Sequence, residues 1–165
     1  MNSNQVALVQ QSFEKAAAMG ETVAEIFYAE LFAIDPSLRS MFKGDMHEQR
    51  QKLLAALALV VRSLHTPEKI LGPVKQLAVK HVDYGVRAEH YTYVGNALLR
   101  TLKKGFGAEF TPALSDAWVE AFRMLASVTK EAAYGVQQRL RPARSAAARA
   151  VPSSGSPSWR QTPMF

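Results

Sequence analysis

Apolar residues along this chain recur at intervals of three and four, which places them on one face of an α-helix. Strand signals are almost absent, because no sustained alternation and no Asn-Gly or Asp-Gly turn between β-branched runs occurs. Glycine and proline separate the periodic segments. The pattern predicts an all-α fold of about seven helical segments, over residues 4–19, 22–34, 36–42, 47–64, 73–84, 88–104 and 112–140.

The second predicted helix, residues 22–34, carries apolar side chains on two faces. A helix with two apolar faces is expected to lie between other helices. Asp35-Pro36 ends this helix, and Pro36 suits the first turn of the short helix that follows. Thr66-Pro67 is typical of the start of a further short helix or turn.

The last part of the chain has a different composition. Residues 141–165 are rich in Pro, Ser, Ala and Arg and show no periodicity, which predicts a disordered tail. This tail holds four arginines and no acidic residue, so it carries +4 of the net charge of +6. The remaining 16 basic and 14 acidic residues leave +2 for residues 1–140. We therefore expect one nearly neutral globular domain, residues 1–140, followed by a basic tail, residues 141–165.

Composition excludes several kinds of chemistry. The chain has no cysteine, which excludes disulfides, thiolate iron–sulfur clusters and a cysteine nucleophile. No apolar stretch is long enough to span a bilayer, and no signal peptide is visible at the N-terminus. These observations are consistent with a cytoplasmic protein.

His81 is the most informative candidate residue. It completes an apolar stripe formed with Val74, Leu77 and Ala78, so its imidazole is expected to point into the core. There it is either a core histidine with a hydrogen-bond partner or a ligand to a bound group. A zinc site would need two or three more ligands, and the spacing of the other histidines gives no HxxxH or HExxH. A heme iron needs only one ligand from the protein, because the porphyrin supplies four nitrogens.

Several motifs in this order resemble a globin. The run from Phe27 through Asp35-Pro36 to Phe42 resembles the second and third globin helices. The run from Ala78-Val79-Lys80-His81 to His90-Tyr91 and Val94-Gly95 is similar to the proximal region of flavohemoglobins and Vitreoscilla-type, single-domain bacterial hemoglobins. The triplet Asp116-Ala117-Trp118 matches their last helix. The resemblance covers about residues 4–135 and implies a globin fold around a heme b group.

The resemblance also implies roles for particular residues. It makes His81 the proximal iron ligand, and it places the following residues against the heme: Phe42, Leu53, Leu77 and Tyr91. Tyr28 and Gln49 take the distal positions, where a phenol O–H and an amide N–H can both donate to bound O2.

Three of these assignments have alternatives. Tyr28 could instead be a core residue whose hydroxyl bonds to backbone. The connector before Gln49 varies in length among globins, so Arg50 or His47 could take its place. His90 could rival His81 as ligand, although Tyr91 rather than His90 falls on the apolar stripe of its helix.

Two functions fit the resemblance. The first is reversible binding of O2, with NO or CO as further ligands, for storage, delivery or sensing. The second is a nitric oxide dioxygenase. In flavohemoglobins an attached flavin and nicotinamide domain supplies electrons to that reaction. This sequence has no GxGxxG, so we expect turnover to need a separate reductase.

The proximal side favours ligand binding over peroxidase-like chemistry. In flavohemoglobins a tyrosine and a glutamate hydrogen-bond to the proximal histidine. Tyr91 matches the tyrosine, whereas the glutamate position falls on Ala133 and Glu131 lies about 200° around the helix. Phe122 stands where those proteins usually have a tyrosine. A helical adaptor or a DNA-binding module fits the sequence less well than a globin, because the nearly neutral domain shows no basic recognition helix. The sequence leaves the oligomeric state open.

Overall fold

The structure, a computed structural model, describes residues 1–83 and 85–147, apart from the side chains of residues 82, 83, 88 and 130–147. This part of the chain forms six α-helices and three short 3₁₀ helices and contains no β-strand. The α-helices are α1 (Ser3–Ala18), α2 (Glu21–Ile34), α3 (Met46–Arg62), α4 (Leu71–Asp83), α5 (Ala88–Phe106) and α6 (Pro112–Ala147). The 3₁₀ helices are Pro36–Met41, Pro67–Lys69 and Gly107–Glu109. The all-α prediction is confirmed.

Local sequence explains where the first helices begin. The Asn2 side chain accepts from the backbone of Gln5, and the Gln5 side chain accepts from the backbone of Asn2, which satisfies N–H groups at the start of α1. Gly20 adopts a φ of 62°, which separates α1 from α2 at little steric cost. The Asp45 carboxylate accepts from the backbone N–H of His47 and begins α3.

The main difference from the sequence prediction lies at the C-terminal end of α6. We expected this helix to end near Leu140, whereas it continues to Ala147. The prediction gave most weight to Pro and Ser and too little to the alanines and arginines of this segment, which favour helix. The predicted end of this helix is therefore seven residues too early, whereas the division into a domain, residues 1–140, and a tail, residues 141–165, stays a prediction. The rest of the predicted tail, residues 148–165, lies outside the described residues.

The helices pack in a pattern that leaves space at the centre. As predicted for a helix with two apolar faces, α2 lies between α3 and α5. A buried hydrogen bond from Trp118 Nε1 to Ser12 Oγ, 2.9 Å long, ties α6 to α1. Among the described residues, α3 packs on α1 and α2 but makes no extensive contact with α4, α5 or α6. The space between α3 and those three helices is the candidate site.

No helix in the described part of the chain is both long and apolar enough to cross a bilayer.

Candidate heme-binding site

A cavity of about 220 Å³ lies between α3 on one side and α4, α5 and α6 on the other. One water molecule needs about 10–15 Å³ measured in the same way, so this space is far larger than a packing defect. Its walls are almost entirely apolar side chains. The five residues predicted to contact a cofactor all line this central cavity: Phe42, Leu53, Leu77, His81 and Tyr91.

His81 is the polar residue most deeply set in the wall. It lies on α4 with 2% of its surface exposed, at the end of the predicted stripe in which Val74 and Ala78 are also buried. Its Nδ1 lies 2.6 Å from the carbonyl oxygen of Leu77, one turn earlier. Because a carbonyl oxygen only accepts, Nδ1 carries the proton, and in the neutral ring Nε2 carries the lone pair.

Burial also sets the charge of His81. It lowers the pKa of the imidazole below its usual value, and the Leu77 hydrogen bond opposes this only in part. The ring is therefore neutral at physiological pH, which is the form that binds metals. A backbone carbonyl on the other ring nitrogen is the usual way in which proteins orient a metal-binding histidine.

His90, the alternative ligand, also lines the cavity but differs in the nitrogen that carries the proton. Its Nδ1 accepts a 3.0 Å hydrogen bond from the backbone N–H of Arg87, so in the neutral ring Nε2 carries the proton. Desolvation, and then the Arg87 charge, lower the pKa of His90. Its ring is more exposed than that of His81. These features favour His81 over His90 as a ligand.

Aromatic rings border the cavity on the predicted proximal side, near His81, and on the predicted distal side, near Tyr28. The rings of Tyr91 and His81 lie 6.4 Å apart between centroids, so Tyr91 stands beside the candidate ligand. Phe42 packs edge-on against Tyr28 at 5.4 Å and against Phe32 at 5.5 Å. Phe42 therefore separates these two rings of α2 from the cavity that it lines.

Tyr28 and Gln49 bond to each other in the core. Gln49 Nε2 donates to the Tyr28 hydroxyl over 3.1 Å, and that hydroxyl donates to the Gln49 carbonyl oxygen over 3.5 Å. Burial is the main reason that the pKa of Tyr28 lies well above its usual value, so the phenol keeps its proton. Neither residue is among those that line the cavity, although Phe27 and Leu53 next to them are. The structure thus places this pair directly behind the cavity wall.

The register of α3 bears on which side chain takes the distal position. Gln49 is 2% exposed and faces the interior, as does Leu53 one turn later. His47 is exposed, and Arg50 is half-buried with its side chain against Glu21 on α2. Gln49 is therefore the member of this set that faces the core.

Sequence reasoning missed the contribution of α6 to the cavity. Trp118, Phe122, Leu125 and Thr129 all line it, at the helical spacing that could have identified them. A Cβ atom on Gly95 would lie 2.6 Å from the Phe122 ring, so α5 and α6 approach closely here. Ala133 and Glu131, on which the expectation of a missing proximal carboxylate depends, lie among the side chains that are not described.

The donor set fits a heme. Among the described residues that line the cavity, His81 is the one buried, neutral imidazole, so the wall suits a group that brings most of its own metal ligands. The apolar walls suit the faces of a large planar ring. The residues that would hold it are His81 through the metal and Phe42, Leu53, Leu77 and Tyr91 through contact.

Comparison with known proteins agrees with this geometry. The chain is 35% identical over 125 residues to the flavohemoprotein of Bordetella pertussis, an alignment that covers 74% of this chain and 31% of the relative. It is 32% identical over 131 residues to the flavohemoprotein of Deinococcus radiodurans, covering 78% and 32% respectively. The chain therefore spans about a third of the length of these relatives.

Solved structures show the same fold. An engineered carbene transferase from Rhodothermus marinus, a protein provisionally named a nitric oxide dioxygenase, superposes with a TM-score of 0.76 at 26% identity. It is matched over 86% of this chain and 99% of its own. A bacterial globin from Campylobacter jejuni gives a TM-score of 0.72 at 24% identity, over 83% and 99%. The globin family model matches residues 25–129, more than half of the sequence, and this chain belongs to the globin family.

Proposed function

We propose that this globin binds heme b through His81 and reversibly binds O2, and other diatomic gases, for storage, delivery or sensing. The observation that carries the proposal is the buried, neutral imidazole of His81 in the wall of a large apolar cavity. The iron of a bound heme would supply the centre at which a diatomic gas binds. The chain's own residues then hold the group, exclude water and donate hydrogen bonds.

Two features of the protein support gas binding. The apolar walls keep the centre of the cavity dry, where a hydrogen bond is stronger than in water. Tyr28 and Gln49 are buried beside Phe27 and Leu53, which line the cavity, and each carries a donor hydrogen. We infer that these donors turn toward bound O2 by rotating side chains that now bond to each other.

The proximal side supports the same function through orientation. Leu77 fixes the imidazole ring of His81 by a neutral backbone carbonyl. Tyr91 borders that ring, and burial raises the pKa of its phenol, so it stays uncharged at physiological pH.

Nitric oxide dioxygenation is the second candidate. The name of the Rhodothermus marinus neighbour and the flavohemoprotein relatives favour it. The reaction needs electrons, which we propose come from a flavin-containing reductase. Sustained consumption of NO by this chain with NADH and no second protein would make it a self-sufficient enzyme instead.

The rate of O2 dissociation tests the proposed distal pair. Loss of a buried donor is expected to cost about 1–3 kcal/mol, which corresponds to roughly fivefold to 150-fold faster release. Tyr28→Phe and Gln49→Leu should each release O2 faster in stopped-flow measurements. Tyr93→Phe, which removes a hydroxyl from a tyrosine outside the distal pair, is the matched control. Unchanged rates in both distal variants would contradict the proposal.

A further inference from the structure

A single carboxylate on α2 contacts two side chains of α3. Glu21 Oε1 lies 2.7 Å from His47 Nδ1, and Glu21 Oε2 lies 3.4 Å from Arg50 Nε. A neutral His47 ring can make the contact with Glu21, because its Nδ1–H donates to the carboxylate. Its Nε2 then accepts from Gln51 Nε2, which lies 3.2 Å away. The Arg50 contact has the distance of an ion pair rather than the geometry of a hydrogen bond.

These contacts surround the position of Gln49. His47 and Arg50 are three residues apart and share the outer side of α3, whereas Gln49 between them faces the core. On α2, Tyr28 follows Glu21 by seven residues, close to two full turns, so both lie on the side that faces α3. Helix α2 thus contacts the start of α3 at two places. Glu21 contacts the solvent-facing side of α3, and Tyr28 bonds to Gln49 on the side that faces the core.

The position of Gln49 depends on this arrangement. Its backbone carbonyl, as well as its side-chain amide, bonds to the Tyr28 hydroxyl, so a shift of the first turns of α3 would alter both distances. The Arg50 Nε atom is buried, so its attraction to Glu21 is screened less than that of an exposed pair. Burial raises the pKa of Tyr28, and the Gln49 hydrogen bond and then the charge of Arg50 oppose that rise.

We propose that Glu21 is a positioning residue for the Tyr28–Gln49 pair, which it holds in register by fixing His47 and Arg50 on the outer side of α3. The inference rests on the proposed function, because the pair matters to gas binding only if a gas binds there. Glu21 itself lies at the first residue of α2, away from the cavity lining.

The first experiment uses the heme-free protein and follows the Gln49 side-chain amide by NMR. Glu21→Ala should shift this signal and speed its exchange with solvent, and Glu21→Gln, which keeps an acceptor for His47, should have a smaller effect. Glu25→Ala is the matched control, since Glu25 is an exposed carboxylate one turn further along α2. An unmoved Gln49 signal in Glu21→Ala would overturn the proposal.

The second experiment uses the heme-loaded protein. Glu21→Ala should speed O2 release by about twofold to fivefold, as expected for loss of a partly buried ion pair, and should shift the C–O stretch of the CO complex. Glu21→Gln should fall between Glu21→Ala and the native chain, and Glu25→Ala should match the native chain.

A double-mutant cycle separates positioning from general loss of stability. If Glu21 acts through the Tyr28–Gln49 pair, then Glu21→Ala should change O2 release less in a Gln49→Leu background than in the native chain. Equal effects in both backgrounds would contradict the proposal. The two proposals also fail separately: native protein that binds no heme rejects the proposed function, whereas heme binding with additive Glu21 effects rejects only the positioning role.

Discussion

Burial at single residues sets the protonation states on which the proposed chemistry depends. It lowers the pKa of His81, which keeps the imidazole neutral and able to bind a metal. It raises the pKa of Tyr28, which keeps the phenol as a hydrogen-bond donor. The same physical cause therefore keeps the lone pair of His81 and the proton of Tyr28 over a wider range of pH.

The raised pKa of Tyr28 predicts a dependence of stability on alkaline pH. In the unfolded chain Tyr28 ionises near pH 10, whereas in the folded chain it stays protonated above that value. The unfolded state then binds fewer protons, so the free energy of unfolding falls as the pH rises above about 10. Between pH 8 and 11, Tyr28 should account for a loss of about 1 kcal/mol.

Urea unfolding of the native chain and of Tyr28→Phe at these two pH values measures this loss. The native chain should lose more stability than the variant, because Phe cannot ionise and the other titrating groups are shared. Equal losses would show that the Tyr28 hydroxyl reaches solvent in the folded protein.

At the scale of helices, the walls of the cavity depend on how closely α5 and α6 approach. Gly95 on α5 lies against the Phe122 ring on α6, and Phe122 lines the cavity. A larger residue at position 95 would push this ring toward the cavity or force the helices apart. The glycine is therefore explained by packing and not by an unusual backbone conformation.

Replacing Gly95 with Ala tests this explanation. The added Cβ atom, 2.6 Å from the Phe122 ring, should destabilise the fold by about 1–3 kcal/mol, and the helix preference of Ala should offset about 0.5–1 kcal/mol of that. Gly72→Ala on α4 is the matched control, because a Cβ atom there meets nothing within 4 Å. It should be neutral or stabilising by up to about 1 kcal/mol in the same urea unfolding measurement. A Gly95→Ala chain as stable as Gly72→Ala would contradict the packing argument.

Helix positions could be predicted from the sequence because local signals set them. Apolar spacing located all six α-helices, and Asp35-Pro36 located the first 3₁₀ helix. The sequence pattern does not predict the extension of α6 to Ala147, because Pro142 is unfavourable inside a helix. Local composition could not decide this, since residues 141–147 contain both Pro142 and helix-favouring Ala and Arg.

Across the whole molecule, the prediction was limited by contacts between distant residues. The burial of His81 could be predicted from the sequence, because the apolar stripe to which His81 belongs follows from helical spacing alone. The Tyr28–Gln49 bond joins residues 21 apart across a connector, and no periodicity fixes that register. The Glu21 contacts with His47 and Arg50 could not be predicted for the same reason, whereas helical spacing alone could have identified the α6 wall of the cavity. The predicted roles of Tyr28 and Gln49 remain predictions.

The central claim is that His81 holds the heme, and a titration of heme into the heme-free protein tests it most directly. The Soret band should report one heme bound per native chain. His81→Gly should bind heme weakly or not at all, with added imidazole restoring binding, whereas His90→Ala should bind as the native chain does. A normal heme content and Soret band in His81→Gly, together with their loss in His90→Ala, would contradict the claim.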